Sequence, residues 1–437
     1  MSDGIRRVAI VGSGISGLSV AHALAGEAQV TLFEAGAYFG GHTHTVDITL
    51  EGQTHGVDTG FLVFNERTYP KLIALFGDLQ VPTALSDMSF SVQVPDVGLE
   101  WSGSDLNTVF AQRRNLMRPA FWRMLRDLTR FNRLATALAE HGTAIEQQQA
   151  IGDFLAEHRF STEFRDWYFL PMIGCIWSCP TDQMLRFPIA TMIRFCHNHG
   201  LIQVTNRPRW YTVQGGARQY VEKLLRQIPD ARLHAPVRSV RRSPNGGRVS
   251  VTTDHGTELF DEVVLACHSD QSLALLADAT VAEREVLGAI RYHRNRAVLH
   301  TDTAVLPRRK IAWAAWNYER AGNRSRESAA VCLHYLINRL QPLPFKTPVV
   351  VSLNPISEPR ADTVQGEYDY AHPVFDAAAI AAQQRVPSLQ GEAHTWFCGA
   401  WTRYGFHEDG LMSGLAVVDG LRRRWAQTEP RPVPEAA

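Results

Sequence analysis

Val8-Ala9-Ile10-Val11-Gly12-Ser13-Gly14-Ile15-Ser16-Gly17 is the stretch whose reading decides the fold. Four apolar residues in a row read as a strand buried on both faces, three glycines follow at G-x-G-x-x-G spacing, and Leu18 to Ala25 continues as a helix. Gly12 permits a tight turn, Gly14 lets backbone approach a pyrophosphate, and Gly17 lets the helix pack close on the strand. The first helical turn, which carries Ser16, directs free N–H groups and a partial positive charge at the phosphates. Gln29 to Phe33 supplies a second strand, and Glu34 lies 20 residues beyond Gly14, where a carboxylate accepts hydrogen bonds from a ribose diol. This is a complete dinucleotide-binding unit, with NAD and FAD equally open. A glycine-rich turn without a ligand leaves Glu34 unexplained.

The whole chain sets bounds on that reading. With 437 residues, 45% of them apolar, it can form two or three domains of ordinary size. Its 44 basic and 44 acidic residues cancel, so no global field recommends nucleic acid or an acidic partner. The six cysteines do not resemble a secreted disulfide framework, and reduced thiols in the cytosol fit better. Arg6-Arg7 imitates an export signal, but the glycines break the apolar run behind it. No stretch of 18 apolar residues is present, so a membrane span is not expected. The expected location is cytoplasmic, with a peripheral place on the inner membrane face left open.

Thr45 to Leu50 alternates as a half-buried strand, and Gly56-Val57-Asp58-Thr59-Gly60-Phe61 follows. From the fingerprint through Glu34, Gly40-Gly41 and Asp58-Thr59-Gly60, the sequence resembles the flavin-containing amine oxidoreductase superfamily of monoamine oxidases, protoporphyrinogen oxidases and phytoene-type desaturases. The resemblance implies FAD, held non-covalently. It places Gly12, Gly14, Ser16, Gly17, Glu34, Gly40, Gly41, His42, Asp58, Gly60 and Phe61 among the cofactor contacts, with His42 standing where relatives carry an arginine near the diphosphate. A second block runs from Gly215-Gly216 through a helix and strands at 232–234, 237–241 and 248–253, turning at Asn245-Gly246-Gly247 and Asp254-His255-Gly256, to Asp261 to Cys267. By resemblance, Val237 meets adenine through its backbone and Ala266 lies beside the cofactor. The closing block, Gly399-Ala400 then Gly405 to Gly414, resembles the strand-glycine and helix that meet the isoalloxazine, through Gly399, Gly410, Leu411 and Ser413. Ala400 stands where many relatives have an acid; Glu408 or Asp409 either substitutes or caps the helix.

The expected fold is α/β: a Rossmann-like FAD-binding domain with a β-meander, built from 1–85, 205–270 and 394–426, and a discontinuous α+β substrate-binding domain from 86–204 and 271–393. Residues 427–437 read as a disordered tail. More narrowly, Asn65 to Pro70, Ile176-Trp177-Ser178, Asn198 to Leu201 and Phe406 to Gly410 look like a bacterial subgroup that often accompanies cyclopropane-fatty-acid-synthase-like methyltransferases. That resemblance implies a methyltransferase partner and a fatty-acyl substrate.

Three further segments bear on function. Arg123, Arg126, Arg130 and Arg133 form one stripe of a helix, opposite Phe121, Met124, Leu125, Leu128, Phe131 and Ala135; with Arg113, Arg114 and Arg118 upstream, this basic face either meets an anionic membrane or is simply solvated. The aromatic run Trp167 to Ser178 lines an apolar pocket or is plain core. Cys175, Cys179, Cys196, His197 and His199 lack standard zinc spacing, so no metal is assigned. His300, Asp302, Trp313, Trp316, Asn317 and Tyr318 are expected to cap the pocket from a second direction.

No second G-x-G-x-x-G follows a strand, which argues against an NAD(P)H domain. The expected activity is oxidation or desaturation of a long apolar, fatty-acyl substrate by hydride transfer. The alternatives are an amine oxidase with Trp401 and Tyr404 as an aromatic pair, a flavin-dependent double-bond isomerase, and a non-catalytic lipid escort. The candidates for orienting or proton-handling groups are His407 and Tyr404 near the flavin, and Tyr69 and His199 on the substrate side.

Overall fold

The computed structural model describes residues 5–141, 149–178, 180–202, 207–243, 246–321 and 331–428. Backbone contacts divide the chain into two compact units, one of Met1–Thr43, Tyr220–Ile290 and Ala381–Ala437, the other of His44–Gln219 and Arg291–Ile380. Residues 44–85 and 205–219 therefore group with the second unit. There Thr45–Leu50 pairs with Gln53–Asp58, and Trp210–Val213 pairs with both Phe64–Asn65 and Thr83–Ser86.

The first unit is built on a five-stranded parallel sheet in the order Asp230–Arg232, Gln29–Phe33, Arg7–Val11, Glu262–Leu265 and Thr395–Phe397. The apolar runs become its central strands because a parallel sheet is covered on both faces; Val8, Ala9, Ile10, Val263, Val264 and Leu265 have no exposed surface. Gly12 takes φ +104° to turn the chain into the helix Ile15–Ala23. A Cβ on Gly17 would sit 1.9 Å from the Gly12 carbonyl oxygen, so only glycine permits this packing. The meander is Val237–Arg242, Val249–Thr253 and Gly256–Phe260, all antiparallel. The strand expected at 232–234 is instead Asp230–Arg232, paired in parallel with Gln29–Phe33 at the sheet's edge. The turn residue Asn245 lies outside the described residues. The helix His407–Thr428 extends past the start of the expected tail, and 429–437 also lie outside the described residues.

The second unit carries a seven-stranded sheet in the order Val364–Val374, Arg291–His300, Val350–Leu353, Cys332–Leu336, Trp316–Glu319, Phe90–Val94 and Leu99–Ser102. Alternation gives it two unlike faces. Trp101, Tyr318, Leu333 and Tyr335 share the face that meets the helical segments: the Trp101 indole donates to the Trp167 carbonyl at 3.2 Å, and a Cβ on Gly174 would lie 3.4 Å from the Tyr318 ring. Ser91, Asn317, His334, Ser352 and His300 share the other face, all with no exposed surface. Over that face lies a cluster of Val305, Leu306, Leu336 and Val350, with Trp313 packed against it. The polar and aromatic residues expected to cap one pocket are thus divided: Trp316 and Tyr318 face the helices, while His300, Asn317 and Trp313 belong to the opposite side.

The basic helix is Pro119–His141 and buries Phe121, Met124, Phe131 and Ala135 as the pattern predicts. Several arginines along it serve the protein's own packing. Arg123 pairs with Glu163, Arg130 lies 4.3 Å over the Phe160 ring, and Arg118 lies 4.8 Å over Trp167. The aromatic run is buried, Trp167 to Phe169 and Leu170 to Cys175 alike, and Phe169 joins a ring cluster around Phe131 with Phe154, Phe160 and Phe164. Among the described residues, no helix is long and apolar enough to cross a membrane.

Candidate active site

In the first unit the glycine turn leads into a helix whose N-cap, Gly14, has no side chain to satisfy the first amides. A Cβ on Gly14 would meet no atom within 4 Å, so this face of the turn is open. Gly40 and Gly41 fold back onto it: the Gly40 N–H donates to the Ser13 hydroxyl at 3.1 Å, and a Cβ on Gly41 would lie 3.1 Å from the Gly14 Cα. The Glu34 carboxylate accepts the Ser13 N–H at 3.0 Å, the Ser13 hydroxyl at 2.5 Å and the Gly36 N–H at 2.7 Å. Of roughly four acceptor positions on a carboxylate, that leaves one, so Glu34 can take a single ribose hydroxyl without rearrangement rather than the pair expected.

The helix His407–Thr428 approaches the first helix closely because Gly410 and Gly414 face it. Cβ atoms on them would lie 2.8 Å from the Ile15 Cγ2 and 2.3 Å from the Ser19 hydroxyl. Ser413 donates to the Gly410 carbonyl and accepts the Gly399 N–H, so its hydroxyl ties the strand-glycine to the helix, and Leu411 is core. Asp409 accepts the Phe406 N–H at 3.0 Å, which is the capping role; burial raises its pKa to about 6. Ala266 packs on the same turn, its backbone carbonyl 3.0 Å from a Cβ on Gly12. Val237 opens the meander beside a β-bulge.

At the start of that second helix, His407 Nε2 lies 2.7 Å from the Tyr220 hydroxyl, which lies 2.6 Å from the Thr43 hydroxyl. Burial, with His42 nearby, lowers the His407 pKa to about 3, so the ring is neutral. His42 is likewise lowered to about 4 by burial and by His268, 6.2 Å away between ring centroids. In the protein alone it is therefore a neutral imidazole where relatives carry a charged arginine. The Trp401 indole donates to the Cys267 carbonyl at 3.1 Å and its ring is buried; Tyr404 is half-buried.

The second unit holds the other candidates. Asp58 Oδ1 accepts the Thr45 hydroxyl at 2.5 Å and the Ala217 N–H at 2.9 Å, while Oδ2 accepts the Ala217 N–H at 3.0 Å and the Gln341 amide at 2.9 Å. Three protein donors thus hold the Asp58 carboxylate, the Ala217 N–H being shared between its two oxygens, and this gives Asp58 a structural role in joining three segments of the unit. Burial raises its pKa to about 7. Beside Gly60 and Phe61, Thr59, His44 and Tyr370 form a triangle: the Thr59 hydroxyl lies 2.7 Å from Tyr370 and 3.0 Å from His44 Nδ1, itself 2.9 Å from Tyr370. Tyr69 and His199 do come together, their rings 6.2 Å apart, with Trp210 at 6.5 and 6.2 Å from them respectively. His199 stacks on Phe195, its Nδ1 lies 3.0 Å from the Phe195 carbonyl, and burial lowers its pKa to about 4. Cys175 and Cys196 are buried with raised thiol pKa values, about 12 for Cys196, as expected of small apolar residues; Cys179 lies outside the described residues.

Tyr220, Thr43, Thr59 and Tyr370 were not legible as partners in the sequence. The alternation His42-Thr43-His44-Thr45 was the one local signal, for hydroxyl and imidazole groups placed in succession before a strand.

The model of the flavin-containing amine oxidoreductase family matches residues 15–327. The chain belongs to the flavin-containing amine oxidoreductase family. Its fold is similar to that of a conjugated-linoleic-acid-producing fatty acid isomerase from P. acnes, at 15% identity and TM-score 0.66, covering 97% of this chain and 99% of that one. It is similar to cyclohexylamine oxidase from Brevibacterium oxydans IH-35A at 15% identity and TM-score 0.66, covering 97% and 100%. A redesigned putrescine oxidase matches at 17% identity and TM-score 0.67, covering 96% and 99%. No curated protein matches the sequence.

The enzyme is an FAD-dependent oxidoreductase, and the first unit fits that cofactor. The open Gly14 face and uncapped helix amides would suit the diphosphate, and Glu34 keeps an acceptor for ribose. Bound FAD supplies acceptance of two electrons. The chain's own residues supply a helix N-terminus whose dipole favours negative charge, and a neutral His407 ordered by Tyr220.

Proposed function

We propose that this oxidoreductase takes hydride from a fatty-acyl chain that it draws from an anionic membrane surface. The observation that carries the reading is an apolar cluster on the outside of the second unit. Met117 is 89% exposed and Leu106 78%, with Leu116 and Trp122 half-exposed beside them. Contacts tie part of this region together: the Trp122 indole donates to the Leu116 carbonyl at 2.8 Å and its ring lies 5.5 Å from Phe110. Arg113 and Arg114, held by the carbonyls of Phe110 and Gly98, sit among them. Exposed apolar side chains interleaved with arginines suit the boundary between acyl chains and anionic headgroups. Similarity of fold to a fatty acid isomerase is compatible with this reading, as is the subgroup resemblance; a methyltransferase that modifies acyl chains would be the enzyme that prepares the substrate.

Anaerobic mixing of the yellow holoenzyme with a methylated fatty-acyl phospholipid should bleach the flavin. Double-bond migration without net bleaching would make the enzyme an isomerase. Peroxide release with an amine panel, and no response to acyl lipids, would overturn the proposal. The amine reading has less support in the geometry, because Trp401 is held by Cys267 and buried rather than standing as a free wall.

A further inference from the structure

We propose that Glu319, Cys332 and His334 form a zinc site on the polar face of the seven-stranded sheet. Glu319 and Cys332 are register partners on adjacent antiparallel strands, and His334 follows Cys332 by two residues, so all three side chains emerge on one face. The ligating atoms already stand close to the edges of a tetrahedron. His334 Nε2 lies 3.1 Å from Glu319 Oε2 and 3.4 Å from Cys332 Sγ, and Sγ lies 3.9 Å from Oε2. Zinc bonds of about 2.3 Å to sulfur and about 2.0–2.2 Å to nitrogen and oxygen require separations of about 3.4–3.6 Å, so each ligand needs to shift by only a few tenths of an ångström. One thiol, one imidazole and one carboxylate suit Zn²⁺, and a thiolate with a carboxylate neutralises its charge.

Two surroundings strengthen the assignment. His334 is oriented from behind, its Nδ1 2.7 Å from the Ser352 hydroxyl, which is also 2.7 Å from His300 Nε2; the Asp302 N–H donates to His300 Nδ1 at 3.1 Å. A histidine fixed through its second nitrogen is the usual support of a zinc ligand. In front, Glu319 and Cys332 border a solvent-open depression that also includes Arg296, Asn354 and Pro355, so water can supply the fourth ligand. On binding, the Cys332 thiol loses its proton to solvent. Bound through Nε2, His334 would carry its hydrogen on Nδ1, facing the Ser352 oxygen.

The test uses holoenzyme freed of metal by a chelating resin and titrated with Zn²⁺ alone against a chromophoric chelator. One equivalent should bind per chain, with release of about one proton, and X-ray absorption at the zinc edge should show one sulfur at about 2.3 Å. Ser352→Ala should weaken binding about 10-fold, and Cys332→Ser or Glu319→Gln more than that, with circular dichroism and a thermal melt confirming that each variant is folded. Should Cys332→Ser fail to fold, Glu319→Gln, at the partly exposed edge, decides the matter. Absence of stoichiometric uptake by the wild type, a sulfur-free shell, or uptake unchanged in Glu319→Gln would overturn the site.

Discussion

Around Gly12, Gly14 and Gly17 the chain makes its site from backbone, within a few residues of sequence. Around Asp58 and Thr59 it makes one from side chains that reach across 283 residues to Gln341 and 311 residues to Tyr370. In the first region a residue is required because of what it lacks: a Cβ on Gly17 has nowhere to go. In the second a residue is required because of what it donates or accepts. The two should therefore fail differently when altered.

The largest effect is expected at Gly17. With its Cβ 1.9 Å from a backbone oxygen, Gly17→Ala must push the helix off the strand, at a cost of about 3 kcal/mol or more, and should yield little soluble yellow protein. Gly14→Ala is the control within the same turn. It meets nothing within 4 Å and φ is −62°, so thermal stability of the FAD-free protein should change by less than about 1 kcal/mol while FAD affinity falls at least about tenfold. Retained affinity in Gly14→Ala would break the assignment of that open face to the diphosphate.

Next comes Asp58→Ala, which leaves the Thr45 hydroxyl, the Ala217 N–H and the Gln341 amide without their acceptor. At about 1–3 kcal/mol for each stranded donor, a loss of about 3 kcal/mol or more is expected in denaturant melts. The same residue has a pH signature. Its pKa is raised to about 7, so the folded state holds a proton that the unfolded chain releases, and its contribution declines as pH rises from the carboxylate range toward 7. His199 and His300, lowered to about 4 by burial, act in the other direction: the unfolded chain gains protons below about 6.5, and stability falls with pH from there to about 4. Near pH 5 Asp58 offsets about one of these histidines. In Asp58→Asn the acid slope of stability should steepen by about 1.4 kcal/mol per pH unit, measured as melting free energy against pH. An unchanged slope would mean that Asp58 is ionised in the fold.

This contrast also explains what the sequence disclosed. The parallel strands and the glycine turn were legible because each depends on spacing within one segment, and the motif names the position that must lack a side chain; the packing of Gly410 on Ile15 was not, since it joins segments far apart in the chain. The structural bonds of Asp58 were not legible because the motif records that an acid is present but not which groups donate to it. Tyr220 and Tyr370 carry no local pattern, and they become partners of His407 and Thr59 only when distant strands and helices are in place. The aromatic run read equally as pocket or core, since periodicity reports burial and not what lies against the buried face.

The next effect is catalytic. His407 is neutral at any working pH, so it should contribute no inflection between about pH 5 and 8 to the rate of flavin reduction. His407→Ala should nonetheless slow reduction by about 100-fold, roughly 2.7 kcal/mol, through loss of the ring that Tyr220 orders, with FAD retained. Anaerobic stopped-flow reduction is the measurement, and full-rate reduction in a yellow variant would remove His407 from the site.

The smallest effect is expected at Tyr69, and it places the chemistry in one region or the other. Tyr69→Phe keeps the ring that meets Phe64, His199 and Trp210 and removes only the hydroxyl, so stability should change by less than about 1 kcal/mol. If that hydroxyl only orients substrate, reduction should slow by less than about tenfold, mainly as a raised KM, because only uniform binding is lost. A fall in kcat larger than that of His407→Ala would reverse the assignment. Proton handling would then lie with the Tyr69–His199 pair, where His199 is neutral through burial and turns Nδ1 to the Phe195 carbonyl, so that Nε2 would be its basic nitrogen.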